Sequence, residues 1–447
     1  MSSYPLGYWL SEEYDPRIPK FLPFEKVYLI QVGYKLFKIS GASLSSDGPS
    51  YFTKYFSNDS NDEKILFVDR NPRIFEKIYN HLQGYQINVA DDYEFIHLWT
   101  DSYYFSLPKL QKYLNREDVF ATIGNQSFKI PRSLFLKDGN YPNFFTISYD
   151  SLLADNRKLI EEKKMIRPPN LRPATVSNRS PKLFEDILEL LRGNDLVIRD
   201  DHHRKLLIRE CRYYRFLELE QRVIKHKIIN NPFIEGKQEI IIDINDLSAD
   251  GVSNESPHDE IKFPIHYKRP FIDEPERPLI VQMAIDTDNM GKKHYSEAKV
   301  IINRNLGFVM LQLSNQMCQK FLHVFKSTTE DYLNENVNDK NPYVCIYASI
   351  HGCKATINGL EMKKDWVNDI INPESSNALT PNTDGYVDDE HQSKKRKENV
   401  KGDLIEIRVT KSLWRLYTRG RKVRMHALLL NGVTDEFSFN KQSLDFL

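Results

Sequence analysis

Apolar side chains recur at helical spacing in two stretches that match each other. Ile74, Phe75, Ile78 and Leu82 share one face of a predicted helix that opens at Asn71-Pro72 and stops at Gly84. Phe184, Ile187, Leu188 and Leu191 do the same between Ser180-Pro181 and Gly193. Asn71 and Ser180 are good caps, proline suits the first helical position, and glycine suits the residue past the last turn. A second helix follows from an aspartate pair in each stretch, Asp91-Asp92 and Asp200-Asp201. It carries His97, Leu98 and Tyr104 in the first and Leu206, Leu207 and Cys211 in the second. Residues 69–114 and 178–223 align without a gap at an offset of 109 (178 − 69), which predicts one fold used twice.

Strand patterns precede both helical stretches. Val27 to Val32 and Lys35 to Ile39 read as a hairpin turning at Gly33. Val32 to Ile39 matches Ile123 to Ile130, with Gly33 on Gly124 and Phe37 on Phe128, at an offset of 91 (124 − 33). Pro49-Ser50-Tyr51-Phe52 matches Pro142-Asn143-Phe144-Phe145. The rise in offset places an insertion in the second copy, between about Tyr149 and Val176. With Pro168, Pro169 and Pro173 it reads as a surface loop. Each unit is thus expected to be a small mixed fold, strands first and helices after.

Beyond residue 229 the texture changes. Residues 230–276 carry one strand-like run, Ile240-Ile241-Ile242, then a polar stretch from Ser248 to His258 and closely spaced prolines, and read as a linker. From 277 onward strand signals dominate: Leu279 to Ile285, Phe308 to Leu313, Val344 to Ile350, Leu404 to Val409 and Val423 to Leu430. One helix is predicted between Asn315 and Phe325. Asn372 to Lys401 is acidic, then basic, and poor in apolar residues, so a flexible insertion is expected near 372–401.

The motifs resemble the BTB/POZ fold in its potassium-channel-tetramerisation (KCTD-like) variety. Ile30-Gln31-Val32-Gly33-Tyr34-Lys35-Leu36-Phe37 is similar to that family's opening strand–glycine–strand. Asp69-Arg70-Asn71-Pro72-Arg73-Ile74-Phe75 resembles its Asp-Arg-x-Pro-x-x-Phe signature, and Phe105-Ser106-Leu107-Pro108-Lys109-Leu110 its late helical pattern. The second unit keeps Gly124, Phe128, Arg179, Pro181, Phe184 and Gly193, counterparts of Gly33, Phe37, Arg70, Pro72, Phe75 and Gly84, but has Asn178 in place of Asp69.

The fold class expected is therefore α+β: two tandem BTB/POZ units followed by a strand-rich α+β domain. Its parts would be a tail (1–25), a first unit (26–115), a divergent second unit (116–229, insertion near 150–175), a linker (230–276) and the last domain (277–447). The resemblance, which extends to fungal tandem proteins related to stress- and nutrient-response regulators, implies a non-enzymatic adaptor. It would work through protein partners and self-association, with a cullin or signalling-phosphatase partner in view. The alternatives it leaves are a Cullin-3-type ligase adaptor and a nuclear transcription-associated regulator.

Composition narrows this further. The 447 residues are 40% hydrophobic and 28% charged, enough apolar content for a sizeable core, and the net charge is zero. A balanced charge removes the strongest argument for a nucleic-acid binder. The four cysteines, Cys211, Cys318, Cys345 and Cys353, are few and irregularly spaced, which favours reduced thiols and an intracellular setting, cytoplasmic or nuclear. No secretory signal and no membrane-length apolar run is read.

Candidate chemistry is sparse. Asp200-Asp201-His202-His203 has ligand-type residues, but the shared aspartate pair fits a helix start. Some channel-type relatives hold zinc through three cysteines and a histidine; with no cysteine in unit one and only Cys211 in unit two, no zinc and no cofactor is expected. Cys345, His351 and Cys353 read as packing and loop residues, and Asp69-Arg70 as a structural ion pair or turn. Lys394-Lys395-Arg396-Lys397 is a candidate nuclear import run. Arg419 to Arg424 reads as a hairpin turn at Gly420.

Overall fold

The computed structural model describes residues 15–115, 118–163, 174–253, 262–284, 297–329, 332–337, 340–363, 366–371, 404–420 and 422–435. The chain divides into two compact units, residues 1–223 and 224–447.

The first unit opens with the hairpin β1 (Val27–Val32) and β2 (Lys35–Ser40), closed by Gly33 at φ +53°. Helices α1 (Gly41–Ser45) and α2 (Tyr51–Phe56) follow, then β3 (Leu66–Val68), which pairs parallel with β1. Helix α3 (Pro72–Leu82) starts at the Asn71 cap and buries Ile74, Phe75, Ile78 and Leu82. Burying each such side chain stabilises by about 1.5–3 kcal/mol, so the apolar stripe, rather than helix propensity, holds α3 in place. Helices α4 (Asp92–Tyr104, capped by Asp91) and α5 (Pro108–Leu114) complete the set.

The same order then recurs: β4 (Asp118–Ile123), β5 (Gln126–Pro131), α6 (Phe144–Lys163), β6 (Ala174–Val176), α7 (Pro181–Leu191), α8 (Asp201–Tyr214, capped by Asp200) and α9 (Leu217–Val223). Sheet order is β2-β1-β3 in one and β5-β4-β6 in the other, with the same hairpin register. The aromatic core repeats pair by pair. Phe75 packs on Phe37, Phe52 and Phe105 at 4.9, 5.9 and 5.9 Å between ring centroids. Phe184 packs on their counterparts Phe128, Phe145 and Tyr214 at 5.0, 5.1 and 5.2 Å.

The insertion in the second stretch differs from the expected loop. Its first part continues α6 to Lys163, well beyond the counterpart of the end of α2. Residues with good helix propensity (Leu152, Leu153, Ala154, Arg157, Lys158) and the pair Arg157–Glu161 at 2.8 Å carry the helix on. Pro168, Pro169 and Pro173 lie outside the described residues.

Residues 224–447 form one strand-rich unit, and the expected linker is a working part of it. Within or beside residues 230–276 lie β7 (His226–Asn230), β8 (Gln238–Asp243), β9 (Val252–Ser253), β10 (Lys262–Pro264) and β11 (His266–Tyr267). β8 pairs parallel with β12 (Arg277–Ala284), and Glu239 on β8 accepts from Nε and Nη2 of Arg415 at 2.8 and 2.7 Å. The prolines read as linker signals do not interrupt a strand: Pro264 and Pro278 sit at strand ends and Pro270 and Pro275 in the connection between β11 and β12, where a missing N–H is tolerated.

The remaining strands are β13 (Ala298–Asn303), β14 (Phe308–Ser314), β15 (Asn334–Asn336), β16 (Tyr343–Ser349), β17 (Lys354–Ile357), β18 (Leu360–Glu361), β19 (Leu404–Arg419) and β20 (Lys422–Val433), with helices α10 (Asn315–Phe325) and α11 (Trp366–Ile371). The pairings β19–β13–β14–β16–β20–β19 close a ring, a small barrel whose long strands β19 and β20 meet at the Gly420 turn. Trp414, Met425 and Leu430 are buried on its inner side, and Phe321 and Phe325 of α10 are buried with them in the unit's core.

Candidate interaction site

Arg70 follows β3 and turns into the fold instead of pairing with its neighbour Asp69, which is exposed. Its guanidinium lies 4.3 Å from the Tyr104 ring centre, and Nη1 is 3.6 Å from Oδ1 of Asp101, both side chains being almost fully buried. Neither of those two atoms makes a hydrogen bond. Burial therefore dominates, and it pushes the Asp101 carboxyl up to about 6 despite the opposing pull of Arg70.

The second stretch rebuilds this arrangement residue for residue at the offset of 109. Arg179 stacks on Tyr213 at 3.9 Å and donates to Glu210 at 2.9 Å. The longer glutamate closes the gap that Asp101 leaves, so here the pair is a true charge-assisted hydrogen bond. The sequence motif marks the two arginines, but their carboxylate and tyrosine partners come from the following helix. Arg70 aligned with Arg179 and Asp101 with Glu210 at one shared offset was the signal available.

Two further polar contacts follow the same logic. Asp47, buried, accepts the N–H groups of Lys109 and Leu110 at 2.7 and 2.9 Å and so caps α5 from a distant part of the chain. His81 Nε2 lies 2.9 Å from Oδ2 of Asp47, the oxygen that also accepts from Leu110. In the second stretch Asn140 accepts the N–H of Leu219 at 3.1 Å and donates to the buried Glu218 at 2.8 Å. Lys77 pairs with Glu94 at 3.3 Å; at the matching positions Asp186 lies 3.0 Å from the His203 ring, with the acidic and basic residue types exchanged.

This accounts for the histidine pair in the 200–203 segment. Asp200 caps α8 by accepting the N–H of His203 at 2.7 Å, and the His203 ring is buried against Asp186 and Arg199. Among the described residues no group of three histidine, cysteine, aspartate or glutamate side chains is placed to hold a metal ion. All four cysteines are buried and unpaired, and burial pushes the Cys353 thiol up to about 11, away from nucleophilic use at neutral pH.

The glycines serve backbone approach. Gly33 and Gly124 both have positive φ, +53° and +57°, and a Cβ on Gly124 would stand 3.0 Å from Cγ of Pro181. Their N–H groups donate to Val68 and Val176 at 3.0 and 2.8 Å, locking each hairpin to the third strand. Gly84 and Gly193 follow α3 and α7 at φ +84° and +94°. The run Lys394-Lys395-Arg396-Lys397 and the expected insertion 372–401 lie outside the described residues. The Arg419–Arg424 stretch holds the β19–β20 turn, with Arg419 opposite Lys422.

The two stretches touch each other through unlike faces. Phe95 of α4 packs on Phe120 of β4 at 5.4 Å and on Tyr149 of α6 at 5.2 Å. Lys129 on β5 donates to the carbonyl of Val89 at 2.7 Å and to Asn88 at 3.1 Å. Beside this seam an open groove of Trp99, Tyr103, Arg132, Asp150 and Arg157 runs between α4 and α6.

Two known families match the chain: a BTB/POZ domain over residues 29–113, and a family described as the YLR108C C-terminal domain over residues 262–443. The second match begins inside the stretch first read as a linker. Among curated proteins the chain is similar to protein YDR132C of Saccharomyces cerevisiae, 38% identical over 385 residues covering 73% of this chain and 75% of the relative. It is also similar to the BTB/POZ domain-containing protein YLR108C of the same yeast, 33% identical over 410 residues, 76% of this chain and 81% of the relative. No helix among the described residues is long and apolar enough to cross a membrane. The first mixed unit is a protein-interaction domain of the BTB/POZ type joined to a strand-rich region, and the chain belongs to the family of BTB/POZ domain-containing proteins.

Proposed function

We propose that this protein is a non-enzymatic scaffold with two BTB units in tandem, residues 26–115 and 116–223, and a partner-binding domain in residues 224–447. The reading of the second unit as a divergent BTB rests on the repeated strand order, aromatic core and Arg–carboxylate–Tyr group. One observation carries the functional reading. Among the described residues, the candidate ionisable groups of the two repeated stretches are engaged in internal pairing and helix caps, while the outer face of the first sheet carries exposed apolar side chains. On that face Val27, Leu36 and Phe67 are 56%, 45% and 61% exposed. A rigid apolar sheet face without a covering element is a docking surface.

Affinity capture of the tagged full chain, followed by reconstitution with each purified partner, tests this. The expected result is a stoichiometric complex that a charge on the outer sheet face, Phe67→Glu, abolishes. The identity of the partner decides between a stress- or nutrient-signalling scaffold and a ligase adaptor. A chain that forms no complex with itself or with any other protein overturns the proposal.

A further inference from the structure

We infer that the outer face of the barrel, across β10, β19, β20 and β16, binds single-stranded nucleic acid. This goes beyond the scaffold reading and does not depend on it. The starting point is charge. The 62 basic and 62 acidic residues balance over the whole chain, but residues 407–434 hold five arginines, two lysines and no aspartate or glutamate. That stretch is the hairpin of β19 and β20.

Alternation along the two strands decides where the cations stand. Leu416, Thr418, Val423 and Met425 are buried, so the residues between them face out of the barrel. The register then lines up these outward positions across four strands. Pro264, Tyr417, Arg424 and Tyr347 form one row on β10, β19, β20 and β16. Arg419 and Lys422 stand opposite each other in the row nearer the Gly420 turn, and Arg415 and His426 in the row on the other side. Like charges set opposite one another work against strand pairing and attract a polyanion.

Rings and cations interleave on this face. The Arg424 guanidinium lies 5.6 Å from the centre of the Tyr347 ring, which is 42% exposed, and Phe308 packs beyond it at 6.2 Å. Tyr417 meets the His426 ring at 5.2 Å. At the far end Phe233, 83% exposed, lies 5.9 Å from Arg415. Glu239 accepts from Arg415 and ties β8 to β19, so the binding charge falls to Arg419, Lys422 and Arg424.

Neighbouring strands are about 4.8 Å apart, which sets Tyr417 and Tyr347 roughly 10 Å apart with Arg424 between them. A base stacks on each ring, and the phosphates that link the bases pass over Arg424. Every base has a flat face, so the surface is indifferent to sequence. An acidic peptide would engage the cations but not the rings. A duplex keeps its base faces in its own stack. A single strand uses both parts of the surface.

Fluorescence anisotropy of a labelled single-stranded thymidine DNA of about 15 nucleotides, titrated with the full chain, reads the outcome. Three phosphate contacts on a single strand give a salt slope near about −2, so affinity should fall about 20-fold between about 50 and 200 mM salt. Arg424→Ala should flatten that dependence by about a third. Tyr347→Ala should weaken binding about fivefold or more at every salt concentration and leave the dependence unchanged. Both side chains are exposed, and circular dichroism checks that each variant folds. Lys422→Ala, beside the turn, replaces Arg424→Ala if that variant does not fold.

No change in anisotropy with about 100 µM protein at about 50 mM salt overturns the inference. Binding that none of these substitutions weakens overturns it as well. So does displacement of the labelled strand by polyaspartate, or by duplex DNA, as readily as by the unlabelled strand; the first result would assign the face to an acidic protein segment. None of these outcomes touches the scaffold reading, whose test is Phe67→Glu in the first unit.

Discussion

The side chains that decide the character of the first unit are a buried arginine and a carboxylate that does not quite reach it. Burial raises the Asp101 pKa from 3.8 to about 6. Between those values the folded protein keeps a proton that the unfolded chain has released, so unfolding releases it and stability falls as pH rises through that window. Above it the contribution is flat. Asp101→Asn removes the titration. Urea midpoints measured from pH 4 to 7 are expected to show the wild type losing ground to Asp101→Asn as pH rises to about 6 and running parallel to it above. Parallel lines throughout would show that Asp101 does not titrate there. The reversed pair offers a second test at this scale. Asp186→Lys sets a cation against Arg199 and His203, and adding His203→Glu rebuilds the Lys77–Glu94 arrangement. The double variant should regain about 0.5–1 kcal/mol over the single in a double-mutant cycle.

At the scale of elements, helix starts are supplied from two different distances. α3, α4, α7 and α8 are capped by the residue just before them, which is why their boundaries were legible in the sequence. α5 has no cap of its own and takes Asp47 from beyond four intervening elements. Asp47→Ala leaves two helix-start N–H groups, that of Leu110 buried, without their acceptor and should cost about 2–3 kcal/mol in chemical denaturation. Asp47→Asn keeps one acceptor oxygen, as Asn140 does for α9, and should cost about 1 kcal/mol. Equal losses for the two variants would mean that charge, not the cap, is what α5 needs.

At the scale of the whole molecule, the division at Val223 and Ile224 predicts which fragments stand alone. No described strand pairing crosses it, because β7 pairs with β8 inside the second unit. Residues 1–223 and 224–447 should each melt cooperatively by circular dichroism. Residues 277–447, cut at the boundary first read from the sequence, should not. That fragment strips β8 and β11 from β12 and leaves Leu279, Ile280 and Val281 beside unpaired backbone. A cooperative melt of residues 277–447 would show that the stretch before β12 is dispensable.

The sequence alone determined what neighbours in the chain decide. Helix faces, caps, turn glycines and the offset of 109 are set by residues within a few turns of each other, and a duplicated pattern needs no coordinates to be seen. Arg70 and Arg179 were visible as motif residues for the same reason. Only the tertiary structure decided their partners, the remote capping of α5, the continuation of α6 into the insertion, and the place of β8, β9, β10 and β11 in the sheet of residues 224–447. It alone showed that the two repeated stretches within residues 1–223 meet through unlike faces. These depend on contacts between residues tens to hundreds of positions apart, and periodicity along a chain reports which face a side chain is on but not what lies across from it.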